Sequence, residues 1–333
     1  MLARTRFLGA SASVSQEPLA ARAAQAAAGV DTTGRVVWEC CNVLLRWLER
    51  RGSLARLLSG GGGGGGDSGG GGGGGGGDGG GGGSGEDGED GKDGGDARAL
   101  LRSLHVVDLS AGAGLVALAL ASAGAALVTA TDTPAQLPLL RSNLAPAAAN
   151  ARVLELLWGE DVAPLAAARG ASDTGALAAA SDAAAGGASA FPPPPPRLCV
   201  CSDILYIALR DGLSRQLSWT LRALAASMPL LFAFEERLIS EETAFMLALS
   251  EPLEAAPGPE GAGDGAGAGA SAAAPLWRGA ARALHVEELP SGELRLDKSE
   301  ALEREDGGEA CSTDLFWEPP PVRAFILRGR GHG

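Results

Sequence analysis

The stretch from His105 to Leu115 constrains this chain more than any other. His105-Val106-Val107-Asp108 reads as a short buried strand, the residues up to Gly114 as a tight glycine turn, and Leu115 as a helix start. A second apolar run, Ala126 to Asp132, follows after one helix length and also ends in an acid. Strand, glycine turn, helix and strand in that order predict a nucleotide-binding βαβ unit. Gly112 and Gly114 let backbone approach a ligand where a Cβ would clash. Asp108 is placed to accept hydrogen bonds from an ammonium group, and Asp132 to hold two ribose hydroxyls. A Rossmann dinucleotide site is an alternative, since Gly112-x-Gly114-x-x-Ala117 also fits its looser fingerprint. A tight turn that holds no ligand is another.

Further alternation of strands and helices extends this unit. The sequence predicts a helix over Val36–Arg50, with Val37, Cys40, Cys41, Leu44, Leu45 and Leu48 recurring at three- and four-residue steps. A helix over Leu115–Gly124 ends on a glycine signal, and another over Ala135–Asn150 carries Pro138 in its first turn. Strands are expected over Val153–Leu157, from Leu198, over Pro229–Glu235, and over His285–Leu289 and Arg323–Leu327 as an antiparallel pair. A helix is expected over Leu213–Leu224. Such alternation implies an α/β fold: a Rossmann-like, doubly wound, mainly parallel sheet covered on both faces, with an antiparallel C-terminal hairpin.

Three low-complexity inserts interrupt this pattern, at about 60–96, 170–196 and 255–274. The first holds eight acids against Lys92 and so supplies −7 of the formal charge of −13. The rest is only mildly acidic and has no clustered basic face, which argues against a nucleic-acid partner. The Gly/acid run buries too little apolar surface to offset its ordering entropy. The second insert ends in Pro192 to Pro196, an extended polyproline stretch that reads as a stiff spacer. Residues 1–33 read as a poorly structured segment, and 34–330 as a single interrupted domain, expected to be monomeric.

No apolar run reaches the roughly 20 residues of a membrane helix, so no membrane partner is expected. Of the five cysteines, none is paired at a two-residue gap; Cys199 and Cys201 alternate with Val200 and should face one side of a strand as free thiols. With three scattered histidines, no metal site is expected. The thiols point to a reducing, cytoplasmic setting, with an organelle as the alternative because residues 1–28 are rich in Ala, Ser and Arg.

Three further segments carry candidate chemistry. Leu157 and Trp158 end the strand before Gly159; the indole either lies flat against an adenine or fills the core. Ser202, Asp203 and Tyr206 follow the strand from Leu198, beyond the carboxyl end where open α/β sheets bind ligands. An acid with a nearby phenol can align and desolvate an amine; otherwise Asp203 caps a turn and Tyr206 packs. Trp38, in Thr33-Gly34-Arg35-Val36-Val37-Trp38, is a lid over a cofactor or a core anchor.

Together these residues resemble the class I, seven-β-strand S-adenosylmethionine-dependent protein-lysine methyltransferases. The matching motifs are the Thr33–Trp38 segment, Asp108-Leu109-Ser110-Ala111-Gly112-Ala113-Gly114-Leu115, Thr131-Asp132, Ser142-Asn143 with Asn150, Leu156–Gly159 and Asp203-x-x-Tyr206. Glu235-Glu236-Arg237 resembles the Glu-x-Arg of members that act on a chaperone-like ATPase. The resemblance implies a seven-stranded sheet and S-adenosylmethionine as cofactor. It implies that Asp108 and the glycine turn (Ser110, Gly112, Gly114) hold the methionine end, Asp132 the ribose, and Leu157 with Trp158 the adenine. Trp38 and Ser202 would line the cofactor pocket, and Asp203 and Tyr206 would border a lysine channel as the catalytic pair. The implied partner is a lysine-bearing protein. Ser110 departs from the family, standing where its turn has a first glycine, so that its Cβ is expected to crowd the cofactor. The family's apolar strand and Gln before the Trp segment are only hinted at by Val14-Ser15-Gln16, and Phe316–Pro321 is unusual. Competing functions are methylation of a small molecule or another side chain, a non-catalytic binding module and a nicotinamide oxidoreductase.

Overall fold

The computed structural model describes residues 2–16, 33–59, 93–163, 165, 198–253, 282–296, 303–304 and 321–330. The expected inserts lie outside these residues except at 93–96, as does Phe316–Pro320. Strands β3 (His105–Asp108), β4 (Leu127–Asp132), β5 (Ala151–Glu155), β6 (Leu198–Ser202), β7 (Leu230–Glu235), β8 (Leu284–Glu288) and β10 (Val322–Gly329) form one sheet in the order β5-β4-β3-β6-β7-β10-β8. The pairs from β5 to β7 are parallel, and β10 runs antiparallel to both β7 and β8. This is the doubly wound, seven-stranded, mainly parallel sheet expected.

Alternation along the strands sorts side chains into two cores. Val106, Val128, Val200, Ala233 and Ile326 face one, packed by α1 (Glu39–Glu49), α4 (Leu115–Ser122) and α5 (Leu137–Leu144). Val107, Cys199, Cys201, Phe232 and Phe325 face the other, packed by α6 (Leu205–Arg210), α7 (Ser214–Ala225) and α8 (Ile239–Leu249). Cys199 and Cys201 thus share a face as expected, both as free buried thiols.

Several boundaries differ from the sequence expectation. The helix expected through Asn150 stops at Leu144 and continues as a single 3₁₀ turn, Ala145–Ala147. Pro146 causes this: it has no N–H to donate to the Ser142 carbonyl and its ring crowds that carbonyl, although Ala145 itself keeps an α conformation. Helices α2 (Ser53–Leu58), α3 (Asp93–Leu101), α6 and α8 were not expected. In α8 the apolar stripe is masked by Ile239 and Leu247, each 64% exposed. The C-terminal strands pair but do not form a simple hairpin: the chain between them contributes β9 (Glu303–Arg304) to a second sheet.

That second sheet corrects the expectation of a poorly structured start. Strands β1 (Leu2–Phe7) and β2 (Ala10–Ser15) pair in register from Leu2↔Ser15 to Phe7↔Ala10. Leu8 and Gly9 both take positive φ, 46° and 75°, as a two-residue hairpin turn requires. Ala3, Phe7, Ala12 and Val14 are buried against α4. The small alternating residues of Ala10–Ser15 hid the strand. The signal lay instead in α4, whose residues 115–121 are buried all round; a helix apolar on every side needs a cover on every side.

Candidate active site

The sheet order reverses between β3 and β6, and ligands of open α/β sheets bind beyond such a switch point. Asp108 pairs with Val200 across that gap, which sets the ends of β3 and β6 side by side; β4 brings Asp132 from the other flank. Next to them lies a cavity of about 450 Å³. Ser110, Gly112 and Asp132 line one part of it, and Leu157 with Trp158 another. Trp38, Ser202 and Asp203 complete the set of expected residues that reach it. Asp108, Gly114 and Tyr206 do not line it.

The glycine turn does different work from that expected. Ser110, Gly112 and Gly114 all have positive φ, at 57°, 56° and 85°. A Cβ on Gly114 would stand 2.6 Å from Leu140 Cδ1, so this glycine admits α5 rather than a ligand. A Cβ on Gly112 would stand 2.8 Å from the Gly34 carbonyl oxygen, so it admits the 3₁₀ turn Thr33–Arg35. Gly112→Ala is therefore expected to push that turn away from the cavity and to cost about 1–3 kcal/mol of stability. A thermal melt with a cofactor titration checks both losses.

Asp132 is 7% exposed and already engaged: the Gly112 N–H donates to Oδ2 and the Thr133 N–H to Oδ1, each at 2.7 Å. These bonds orient the carboxylate and leave acceptor capacity on each oxygen. Desolvation raises its pKa, and the two N–H bonds oppose the rise. Asp108 is more deeply buried, and its Oδ2 has no hydrogen-bond partner. Burial pushes its carboxyl up to about 7, against a bond from the Ala117 N–H and with a smaller contribution from Asp132.

At the other end, Asp203 sits at φ 58° and is 4% exposed. Its two oxygens each accept a 2.8 Å bond from Arg237 Nη1 and Nη2, and Oδ1 also accepts from the Glu235 N–H at 3.2 Å. Arg237 reaches Glu235 Oε2 at 2.7 Å as well. Its guanidinium carbon lies 4.8 Å from the Trp38 ring centre and 5.2 Å from that of Tyr206. Tyr206 thus joins the site through Arg237. Asp203 is not a free carboxylate waiting for an amine; it is half of a bidentate ion pair. The sequence carried Arg237 only through a family likeness, and its partner lies 34 residues away.

Other wall residues were not foreseen: Cys41, Gln136, Ile207, Asp211 and Gln216. Cys41 Sγ lies 3.2 Å from Ser202 Oγ, and burial pushes its thiol up to about 12, which favours the protonated form. Gln136 is buried with Oε1 unpartnered. Gln16, hinted at in the sequence, is also buried and accepts the Val37 N–H at 3.0 Å, tying the hairpin to the Trp38 segment. No cluster able to hold a metal occurs among the described residues. No helix among them is long and apolar enough to cross a membrane.

Comparison with known proteins finds a likeness to one family. A family model described as lysine methyltransferase matches residues 23–174, a span that holds the Trp38 segment, the glycine turn, Asp132 and Trp158. The match covers 152 of the 333 residues, less than half of the chain. The family it matches is that of the lysine methyltransferases.

No curated protein matches the chain. Solved structures it resembles include the pyocyanin biosynthetic protein PhzM, at 16% identity, TM-score 0.27, covering 41% of this chain and 33% of that one. The mitomycin 7-O-methyltransferase MmcR follows at 15% identity and TM-score 0.32, covering 69% and 50%. The methyltransferase domain of bacterial CtHen1-CN has 6% identity and TM-score 0.36, covering 69% and 92%. The chain thus spans a third and a half of the first two, and TM-scores this low bear on neither activity nor substrate.

The residues present fit the cofactor. Asp132 suits a diol and the Leu157–Trp158 wall suits a flat ring; the unpartnered Asp108 carboxylate oxygen, the group suited to a cation, is buried beside the cavity and does not line it.

Proposed function

We propose that the chain methylates a lysine side chain of a protein substrate. The observation that carries this is the cluster of Asp203, Glu235 and Arg237 against Trp38 and Tyr206, at the edge of the cavity whose other parts suit the cofactor. Asp108 would hold the methionine ammonium, Asp132 the ribose, and Leu157 with Trp158 the adenine; Ser110, Gly112 and Ser202 would line the pocket, with Gly114 shaping the turn. The bound cofactor supplies an electrophilic methyl group.

The protein must then deliver a neutral amine, although free lysine has a pKa of about 10.4. Arg237 is shared by Asp203 and Glu235, and burial raises the Glu235 pKa, so the cluster holds an ammonium less firmly than two free carboxylates would. A fixed guanidinium nearby also disfavours the charged amine. The aromatic faces of Trp38 and Tyr206 displace water along the approach, and the proton leaves to solvent before attack. Asp203 and Tyr206 act here by placing Arg237 and walling the channel.

The likeness of Glu235-Glu236-Arg237 to the Glu-x-Arg motif supports a chaperone-like ATPase as the substrate class. A monomer working in the cytoplasm, with no nucleic-acid partner, completes the proposal. The test is transfer of tritiated methyl from S-adenosylmethionine into a proteome extract by the purified chain, followed by hydrolysis and amino-acid analysis. Label recovered as methyl-lysine supports the proposal. Label confined to small molecules, or to another residue, sinks it.

A further inference from the structure

We propose that Ser110 is a positioning residue that locks the Trp158 indole as a preformed wall of the cofactor cavity. The inference rests on the cofactor assignment above. Ser110 Oγ accepts a 2.8 Å hydrogen bond from Trp158 Nε1, and both residues line the cavity. Ser110 holds this place at φ 57°, a backbone region that L side chains rarely adopt. Glycine would take that conformation freely but would leave the indole N–H without this acceptor.

The backbone that carries both partners of this bond is held as well. The Ser110 N–H is held by Thr131 Oγ1 at 3.3 Å, and Thr131 Oγ1 donates in turn to the Asp108 carbonyl at 3.3 Å. The hydroxyl that holds Trp158 therefore sits on backbone tied to both acid-bearing strands. At the next residue along the chain, the Gly159 N–H donates to Thr220 Oγ1 at 2.8 Å. Gln216 packs so closely that a Cβ on Gly159 would lie 3.2 Å from its Cγ. A ring fixed before binding loses little freedom on binding, which strengthens the complex. The strained serine thus serves affinity, the reverse of the crowding expected from its departure from glycine.

Opposite outcomes follow for Ser110→Gly. It should melt no lower than the wild type, because backbone strain is relieved, yet bind S-adenosylhomocysteine about three- to tenfold more weakly by calorimetry. Ser110→Ala, which keeps the strain and loses the acceptor, should weaken binding and also lower the melting point. Trp158→Phe keeps a ring without the N–H; adding Ser110→Gly to it should cause no further loss. The Trp158→Phe spectrum also identifies the Trp158 indole N–H resonance in the ¹⁵N-labelled ligand-free chain, and this resonance should move upfield in Ser110→Gly.

Binding by Ser110→Gly as tight as the wild type, or tighter, overturns the lock. If the wild type itself binds no cofactor, the cofactor assignment fails separately. The indole resonance then judges the hydrogen bond alone: a shift in Ser110→Gly supports it and an unmoved signal ends it.

Discussion

Asp203→Asn should abolish most methyl transfer, at least about 100-fold in kcat, while the cofactor still binds. The substitution keeps the shape of the side chain and tolerates the positive φ of 58° at this position. What it removes is the charge that Arg237 grips through two 2.8 Å bonds. Breaking one side of a buried pair costs about 3–5 kcal/mol. Arg237 keeps Glu235 and is 22% exposed, so the lower end, about 3 kcal/mol, is expected. For a folded portion of this size that is a drop of about 6–12 °C in melting point.

Asp203→Ala should fall further, since alanine tolerates the left-handed backbone less well. The double variant Asp203→Asn with Arg237→Met removes the stranded charge. It should recover stability without recovering activity. A double variant that regained methyl transfer would show that the ion pair is scaffolding and that neither residue serves the acceptor.

Asp108 gives the second large effect, read as a pH dependence. Its carboxyl has a pKa of about 7 in the folded chain because of burial, against 3.8 as its ordinary value. Between about pH 4 and pH 7 the folded state therefore keeps a proton that the unfolded chain has released. Stability of the ligand-free protein falls as pH rises through that window. Cofactor binding should run the other way, because only the ionised carboxylate attracts an ammonium. S-adenosylmethionine should bind about tenfold more weakly at pH 6 than at pH 8. Asp108→Asn should flatten both profiles, stabilise the ligand-free chain at pH 8 and weaken the cofactor by about 10- to 100-fold. Calorimetry across that range is the measurement. A flat wild-type binding profile would remove Asp108 from the ammonium.

Much of the fold was legible because strands and helices write their periods locally. The runs at His105–Asp108, Leu127–Asp132 and Leu198–Ser202 could only be buried strands, and the glycines between them only turns. The positions of Asp108, Asp132 and Asp203 at strand ends followed from that order. The hairpin over Leu2–Ser15 was illegible because its alternating residues are mostly Ala, Ser and Thr, whose burial depends on what covers them. Helix α8 was obscured by two apolar residues that the fold leaves exposed.

The site divides in the same way. Local sequence determined which residues arrive at the carboxyl edge of the sheet, since strand length and turn chemistry act over a few neighbours. It did not determine what they do there. Gly112 meets Gly34, Gly114 meets Leu140, Ser110 meets Trp158, and Asp203 meets Arg237 held between two aromatic rings. Each partner comes from a distant part of the chain, and its identity is settled only when the parallel sheet closes and brings separate loops to one edge. Hydrogen bonds and ion pairs depend on ångström-scale distances, and for pairs remote along the chain tertiary packing alone sets those distances.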